Sequence, residues 1–446
     1  MDPDGALSGR GGERAVRELL LGAGQDALAG LLESMAGDRR AVRTLRLRRA
    51  HLKPGRKLST EYDVELHGIR RPVAVAATWH CGGMPAGALA GAEAGAAELR
   101  ADGVPAPMER LWAVDPTERL LVLAAPLDPA FPSLGPLSDP ARLGAALAAW
   151  DGLLAGGAGA GAVRAVRYRP GQRHVLEYRR RGALPLFVKL YRPGEGGPVA
   201  TAVHALAELL DAAGTPRIRA VRPAAVLGDG DALVYRRAPG TPLSTPLGAG
   251  VPPAAAHAAH VGLLLRTVHA ARPPAPLPSR DLDGEVRTVR RACEAMAALR
   301  PELGALAGAI VDRAAERIAA CEQEPPTPIH GDMKADHVLW GGRGLHVLDT
   351  DRCALADPAL DLGKMLADLR VRGVEGGGSI AADAEGAVLD AYAGPAPRID
   401  RARLYAALLL VRMAARRVPL AAPDWAPRTA AVLAAARVSL DAEGSR

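Results

Sequence analysis

The stretch His330-Gly331-Asp332-Met333-Lys334-Ala335-Asp336-His337 places two histidines, two aspartates and a lysine within eight positions. Two further aspartates lie at the far end of a predicted β-hairpin whose strands, VLW (338–340) and LHVLD (345–349), flank a glycine-rich turn: Asp349 ends the second strand and Asp351 follows it. Such a hairpin can bring both ends of the polar cluster together over one cavity. Carboxylate oxygens with an imidazole suit Mg²⁺ or Mn²⁺, because hard cations prefer oxygen ligands and retain water. The cluster is therefore a candidate metal or acid–base site.

Other catalytic classes lack support in the sequence. The cluster contains no HExxH motif and no cysteine, so it does not resemble a zinc site. No GxSxG elbow occurs in the chain, which argues against a serine hydrolase. The four cysteines lie far apart without a CxxC pair, at Cys81, Cys293, Cys321 and Cys353. This spacing favours neither a zinc cluster nor a disulfide framework and predicts a reducing, cytoplasmic location.

Positive charge in this chain comes almost entirely from arginine. The 446 residues carry a formal net charge of +7, yet the only lysines are Lys53, Lys57, Lys189, Lys334 and Lys364. Where lysine persists, its compact ammonium group can have a specific use, which marks Lys189 and Lys334 for attention. The charge indicates a solvated surface rather than a nucleic-acid partner, because no dense basic run with interleaved aromatics occurs. No apolar run approaches the roughly 20 residues of a membrane span.

The first half of the chain contains an internal repeat. Residues 51–62 (HLKPGRKLSTEY) match residues 167–178 (RYRPGQRHVLEY) without a gap, and both predict a hairpin with a Pro-Gly turn. A third strand, a helix and later strands follow in each copy, so duplication explains the series better than chance. This alignment predicts that Ala76 in the first copy takes the position of Lys189 in the second.

The repeat divides the chain into three predicted domains. Residues 1–150 hold the first copy, beginning with a disordered leader over residues 1–14 and helices to about residue 40. The Gly/Ala-rich segment 152–163 is a linker, since it lacks the Lys-Ser/Thr of a P-loop. A sheet-and-helix domain follows over residues 160–240, and a mostly helical domain over residues 241–446. Apolar periodicity predicts its helices at 252–271, 284–299, 302–321, 359–370, 383–393, 401–416 and 427–440.

Three motifs in order, HGDMKADH (330–337), VLD (347–349) and DPALDLG (357–363), resemble the aminoglycoside phosphotransferase family of small-molecule kinases, with its choline-kinase-type relatives. The resemblance covers residues 164–416. It implies the α+β class and the bilobal fold of the protein kinases. Residues 1–150 would then be an extra N-terminal domain resembling a degenerate kinase N-lobe without the catalytic lysine.

The resemblance implies roles for residues that bind the substrates. Asp332 would orient the acceptor hydroxyl and receive its proton, and Lys334 would steady the γ-phosphate, unless it is a surface lysine. Lys189, paired with Glu208, would hold the α- and β-phosphates of ATP, although Glu208 could equally be a solvated helix residue. No glycine-rich phosphate loop is present, and Arg173 after the Pro170-Gly171 turn is the nearest substitute.

The resemblance also implies a metal site and its support. Asp349 would bridge Mg²⁺ to the β- and γ-phosphates. His337 stands where the family normally has an asparagine ligand, and Asp351 could share that duty. His330 would order the loop through hydrogen bonds, while Asp357 and Asp361 would brace it by accepting backbone N–H bonds.

These roles imply an ATP- and Mg²⁺-dependent phosphotransferase acting on a hydroxyl of a small polar molecule, such as a sugar, aminocyclitol or aminoglycoside-like natural product. A Ser/Thr kinase acting on a peptide or protein stays open, as does a pseudokinase-like scaffold, which His337 in place of Asn supports. The N-terminal domain could cap the site, hold the acceptor or form a homodimer. Acidic residues of the helical half could bind a cationic acceptor or be ordinary helix-surface charges, namely Asp281, Asp283, Glu285, Asp383 and Glu385.

Overall fold

A computed structural model of the chain describes residues 3–37, 42–150, 152, 154, 161–213, 218–249, 253–342, 344–417 and 419–441. The predicted linker 152–163 therefore lies outside the described residues, except at 152, 154 and 161–163. The chain forms two compact units. The first comprises Met1–Gly197, Pro223–Arg237 and Pro419–Pro423, and the second comprises Pro198–Arg222, Ala238–Val418 and Asp424–Arg446.

Three helices open the first unit, namely α1 (Pro3–Leu7), α2 (Gly12–Leu21) and α3 (Ala23–Ala36). The prediction of a disordered leader over residues 1–14 is wrong for residues 3–14, and residues 1 and 2 lie outside the described residues. Leu7 is fully buried, and its carbonyl oxygen accepts the N–H of Gly55 at 2.8 Å. The Asp4 carboxylate accepts the N–H of Gly82 at 3.0 Å. Apolar burial and these hydrogen bonds to the following sheet offset the entropy cost of ordering the segment.

The first unit contains two five-stranded antiparallel sheets with the same strand order. The first sheet has the order β1-β2-β3-β5-β4 and the second β6-β7-β8-β11-β10. The hairpin turns at Gly55 and Gly171 share a φ of 67°, a conformation that glycine adopts without steric cost. This common topology agrees with the repeat seen in the sequence, whose origin by duplication stays a prediction.

The elements of the first sheet and the two helices after it are β1 (Val42–Lys53), β2 (Lys57–Leu66), β3 (Val73–His80), α4 (Ala86–Ala101), β4 (Trp112–Asp115), β5 (Leu120–Ala124), α5 (Leu134–Ser138) and α6 (Pro140–Ala148). Those of the second sheet are β6 (Gly161–Arg169), β7 (Arg173–Arg180), β8 (Leu186–Leu190), β10 (Pro223–Leu227) and β11 (Ala232–Arg236). The segment between β8 and β10 forms α7 (Gly196–Ala212) and β9 (Ile218–Ala220), and its residues 198–222 belong to the second unit.

The strand register corrects one detail of the repeat. Under the hairpin alignment Ser59 is equivalent to Val175, and Ser59 lies opposite Thr78 whereas Val175 lies opposite Lys189. The neighbouring strands β5 and β11 give the same equivalence from the other side. Thr78, and not Ala76, is therefore the counterpart of Lys189. The sequence alignment failed because, at the end next to the proline, the β2–β3 pairing extends two residue pairs beyond the β7–β8 pairing.

A buried carboxylate ties the β6–β7 turn to the segment that follows β5. Asp128 accepts the N–H groups of Gly171 (2.8 Å) and Ala130 (3.0 Å), and its Oδ2 lies 2.7 Å from Nε2 of His174. His174 is fully buried, with the ring of Phe131 edge-on at 4.6 Å. The turn of the predicted phosphate-binding segment is thus held by a carboxylate of the protein itself.

We expect Asp128→Ala to lower the free energy of unfolding by about 3 kcal/mol, because it leaves a buried imidazole and the Gly171 N–H without their acceptor. Chemical denaturation followed by circular dichroism measures this loss. The matched control is Asp229→Ala at an exposed turn residue, for which we expect a change below about 0.5 kcal/mol. Equal stabilities for the two variants would contradict the role given to Asp128.

The second unit is mostly helical, as the apolar periodicity predicts. Its small sheet has the order β12-β14-β15-β9, and β13 pairs with β16. The predicted hairpin is present as β14 and β15, so the α+β class is confirmed. Among the described residues, no helix is both long and apolar enough to cross a bilayer. The remaining elements are β12 (Thr241–Pro242), α8 (Ser244–Gly248), α9 (Pro253–Ala270), α10 (Leu282–Leu299), α11 (Pro301–Ala320), β13 (Thr327–Ile329), β14 (Val338–Gly341), β15 (Gly344–Val347), β16 (Ala354–Ala356), α12 (Pro358–Arg372), α13 (Gly378–Tyr392), α14 (Ala396–Arg417) and α15 (Trp425–Asp441).

Candidate active site

Hydrogen bonds join the loop after β13 to α12 on one side and to the end of the β14–β15 hairpin on the other. The buried carboxylate of Asp361, on α12, accepts the N–H groups of His330 (2.5 Å) and Gly331 (2.9 Å). Nδ1 of His330 accepts the N–H of Asp332 at 3.2 Å, so the proton lies on Nε2, which donates to the carbonyl oxygen of Leu348 at 2.9 Å. His330 therefore links the loop of Asp332 to the hairpin end that precedes Asp349.

Two other aspartates near the loop differ from expectation. Asp368, which the sequence analysis did not single out, is buried and accepts the N–H of Ala335 at 2.9 Å. Asp357 instead accepts the N–H of Ala359 (2.9 Å) at the start of α12 and pairs with Arg401 at 2.7 Å. The expectation that Asp357 braces the catalytic loop is wrong, because an aspartate just before a helix caps that helix.

Asp332, His337 and Asp349 form a compact set of potential metal ligands. One ligand atom from each lies within 4.8 Å of the other two. Asp349 has a φ of 57°, an uncommon conformation for a residue with a side chain, at the end of the hairpin. Asp351 is outside this set, which does not support the prediction that it shares the metal.

The surroundings of His337 test whether a divalent cation fits this set. Nδ1 of His337 lies 3.0 Å from the backbone carbonyl oxygen of Asp332 and so carries the proton of the neutral ring. Burial lowers the pKa of His337, although the Asp349 carboxylate, which accepts a hydrogen bond only from the protonated ring, opposes this, so the neutral form is favoured. Nε2 then presents a lone pair 3.2 Å from Oδ2 of Asp349. A cation bound by both atoms would remove the repulsion between these two acceptors, so the donors fit Mg²⁺ or Mn²⁺.

Lysine side chains surround the carboxylate of Asp332. Nζ of Lys364, on α12, lies 3.4 Å from Oδ1 of Asp332. Burial alone would raise the pKa of Asp332, but the charges of Lys364 and Lys334 lower it well below its usual range, so the carboxylate is ionised. Lys364 lies outside the motifs and was not among the predicted site residues. The scarcity of lysine singles out Lys189 and Lys334 as candidate site residues, and the same argument applies to Lys364.

The residues predicted to bind the nucleotide lie in other parts of the chain. Nζ of Lys189, on β8, lies 5.1 Å from the centroid of the Tyr235 ring. Arg173 begins β7, after the turn whose Gly171 N–H is already bound by Asp128. Glu208 is exposed on α7. The roles of Lys189, Arg173 and Glu208 stay predictions from the family resemblance.

Comparison with known families decides the class of protein. A model of the phosphotransferase enzyme family (APH) matches residues 166–398, which is more than half of the chain. The chain belongs to this family. It is therefore a phosphotransferase with a hydroxyl acceptor, and the family predicted from the three motifs is confirmed. A search of the curated proteins finds no match to the chain.

The phosphotransferase is also similar to solved structures. A choline/ethanolamine kinase family protein from Mesorhizobium loti is 18% identical with a TM-score of 0.43, over 68% of this chain and 95% of that one. A choline kinase from Cryptosporidium parvum is 8% identical with a TM-score of 0.46, over 66% and 92%. The aminoglycoside phosphotransferase APH(3'')-Id from Streptomyces rimosus is 19% identical with a TM-score of 0.41, over 56% and 92%. At such low identities and TM-scores, these likenesses add nothing to the family assignment.

In the phosphotransferase, we expect Asp361→Asn to lower the free energy of unfolding by about 2–4 kcal/mol. The amide keeps one acceptor oxygen but turns its NH₂ donor toward a backbone N–H of the loop. Chemical denaturation measures the change, and Asp383→Asn at an exposed helix position is the control. If both variants unfold at the same denaturant concentration, Asp361 does not hold the loop.

Proposed function

We propose that the phosphotransferase uses ATP and Mg²⁺ to phosphorylate a hydroxyl group of a small polar molecule, such as a sugar, an aminocyclitol or an aminoglycoside-like natural product. The observation that carries this proposal is the convergence of Asp332, His337 and Asp349 within one set of ligand distances. Asp332 and Asp349 are the residues that the family motifs assign to the proton acceptor and the metal. Their meeting in the fold supports the assignment beyond the motifs themselves.

Asp332 supplies the proton acceptor in this mechanism. The acceptor hydroxyl donates a hydrogen bond to the carboxylate of Asp332. This hydrogen bond orients the hydroxyl so that a lone pair of the hydroxyl oxygen points at the γ-phosphorus. As the new O–P bond forms, the bond between the γ-phosphorus and the β,γ-bridging oxygen breaks, and the proton passes to Asp332. Lys364 keeps Asp332 ionised before the reaction, so the carboxylate is ready to accept.

Asp349 and His337, with Asp332 beside them, would hold the metal. A bound Mg²⁺ neutralises negative charge on the phosphates, which is the main electrostatic requirement of phosphoryl transfer. His330 and Asp361 hold the backbone that carries these ligands, so the set is organised before substrates bind. Lys334 lies near enough to Asp332 to lower the pKa of its carboxyl, which agrees with a role at the γ-phosphate.

The test is ADP release by the purified protein with ATP, and separately with GTP, in the presence of Mg²⁺ and a panel of sugars, aminocyclitols and peptides. Mass spectrometry of the acceptors identifies any added phosphoryl group. Transfer to a small molecule supports the proposal, and transfer only to peptides would favour the Ser/Thr kinase instead. Tight nucleotide binding without transfer to any acceptor would favour the pseudokinase-like scaffold.

A further inference from the structure

A cavity of about 780 Å³ lies in the first unit, between the first sheet and the β6 edge of the second sheet. Its walls come from β2, β3 and the turn that joins them, from the segments around residues 105–107 and 125–126, and from β6 and β7. Small-molecule sites in proteins have volumes of roughly 300–1,000 Å³. The cavity can therefore take a compact organic ligand.

Hydrogen bonds hold the two walls of this cavity in fixed positions. The N–H of Ala125 donates to the carbonyl oxygen of Ala74 at 2.9 Å, which attaches the segment after β5 to β3. Oη of Tyr168 donates to the carbonyl oxygen of Leu127 at 2.6 Å, which attaches β6 to the same segment. The cavity is thus formed before a ligand binds, so binding requires little ordering of the protein.

The inner wall of the cavity is apolar. Val73, Pro126 and Leu176 line it and are buried. Further apolar residues that line it are Ile69, Pro72, Pro105, Pro107 and Val163. Proline has a fixed φ and carries no backbone N–H, so these parts of the wall are stiff and offer no hydrogen-bond donor. Such a wall favours the apolar ring of a ligand, since burial there removes apolar surface from water.

Arginine dominates the charged side chains around the cavity. Among the described residues, those that line it are Arg48, Arg71, Arg164, Arg179 and Asp63. Nε of Arg48 lies 3.3 Å from Oδ2 of Asp63, so the charges of this pair offset each other. Arg71 is exposed, and its guanidinium has no ion pair or hydrogen bond with any of the described residues. Arg71 therefore contributes one positive charge that no carboxylate of the cavity offsets.

The buried Glu177 holds the other two arginines. Its carboxylate accepts a hydrogen bond from Nε of Arg164 at 2.9 Å and lies 2.8 Å from Nη2 of Arg179. One carboxylate offsets one of these two guanidinium charges. The side chains of Arg164 and Arg179 are 58% and 64% exposed, so they lie at the solvent side of the cavity, whereas the apolar wall is buried. With Arg71, this side of the cavity carries two positive charges in excess.

We propose that this cavity binds an organic phosphate monoester, with an apolar ring against the inner wall and the phosphate at Arg71, Arg164 and Arg179. A phosphate monoester carries a charge of about −1.5 to −2 at pH 7, which matches the excess of two, whereas a carboxylate would offset only one charge. The planar guanidinium group binds phosphate oxygens through paired N–H donors. The inference does not rest on the proposed function, because the described lining residues all belong to the first unit, whereas the candidate active site belongs to the second.

The experiment compares compounds that share a ring and differ in charge. Isothermal titration calorimetry measures the binding of 1-naphthyl phosphate, 1-naphthoate, 1-naphthol and inorganic phosphate to the full chain without nucleotide or Mg²⁺. We expect 1-naphthyl phosphate to bind more tightly than each of the other three. Arg71→Gln should weaken its binding by on the order of tenfold, because it removes a charged hydrogen-bond donor. Arg70→Gln, at the neighbouring exposed arginine that does not line the cavity, is the control with unchanged binding.

A second variant tests the apolar part of the site. Ala165 lies opposite Leu176 on β7, lines the cavity and is exposed on the terminal strand of the sheet, so Ala165→Phe should fill the space and abolish binding while the protein stays folded by circular dichroism. Binding that is unchanged in Arg71→Gln or in Ala165→Phe would overturn the inference. So would binding of 1-naphthoate or inorganic phosphate as tight as that of 1-naphthyl phosphate.

Lys334→Gln separates this cavity from the candidate active site. We expect it to bind 1-naphthyl phosphate as the unmodified protein does. Loss of binding in Lys334→Gln would place the phosphate at the candidate active site and overturn the inference. Binding that depends on Arg71 and Ala165, without phosphate transfer to any acceptor, would contradict the proposed function and confirm the cavity as a ligand site.

Discussion

Replacing Asp332 by asparagine is expected to lower kcat about 10³-fold, with little change in the KM for ATP. The amide cannot take the proton that leaves the acceptor hydroxyl, and its NH₂ group would compete as a donor for the hydroxyl oxygen. Nζ of Lys364, 3.4 Å from Oδ1 of Asp332, would also lose its anionic partner. Steady-state ADP release with the acceptor found by the panel measures the effect, and circular dichroism checks that the variant is folded.

The control for this variant is Asp336→Asn in the same loop. Asp336 is half exposed, pairs with Arg372 at 3.1 Å and is not a member of the ligand set. We expect it to retain kcat within about threefold, since an exposed ion pair contributes about 1 kcal/mol or less. A similar loss of kcat in both variants would show that the loop, and not the Asp332 carboxylate, is what the substitution disturbs.

Replacing Asp349 by asparagine is expected to lower kcat by about 10²–10³-fold, and to raise the Mg²⁺ concentration needed for half-maximal activity. Asp349 is the carboxylate closest to Nε2 of the neutral His337, at 3.2 Å. The amide removes one negative charge from the ligand set, and with it much of the attraction for a divalent cation. Activity measured over a Mg²⁺ titration separates weaker metal binding from a loss of chemistry at saturating metal.

The comparison that tests this assignment is Asp351→Asn. Asp351 lies two residues from Asp349 but is outside the set of atoms that lie within 4.8 Å of one another. We therefore expect its loss of activity to be much smaller, with a Mg²⁺ requirement near that of the unmodified protein. Should Asp351→Asn shift the Mg²⁺ titration as far as Asp349→Asn, the metal would be held by a different set of residues.

Much of the second unit follows from patterns that act over a few residues. The hairpin β14–β15 lies where apolar strands flank a glycine-rich turn, and each predicted helix of the second half is present. The motifs around Asp332, Asp349 and Asp361 also identified the family correctly. Local dihedral preferences and apolar periodicity determine such elements, so the sequence was sufficient to find them.

Errors arose where the outcome depends on distant contacts. The segment over residues 1–14 looks polar and glycine-rich, yet Leu7 is buried and bonded to the turn at Gly55. Ala76 was aligned with Lys189 because a proline precedes both strands, whereas pairing with the neighbouring strands selects Thr78. In each case the contact that decides the structure is made with residues distant in the sequence, so a pattern of a few neighbouring residues cannot predict it.

The sequence by itself determined the family, the order of helices and strands in the helical half, and the two carboxylates, Asp332 and Asp349, that lie close together in the candidate site. Only the tertiary structure decided which charges surround Asp332. Lys364 reaches it from α12, with Nζ 3.4 Å from Oδ1 of Asp332, although spacing along the chain does not associate this lysine with the loop. The physical reason is the distance along the sequence over which each feature is determined. Turns and helices depend on residues a few positions apart, whereas an ion pair between two elements depends on how those elements pack in the fold.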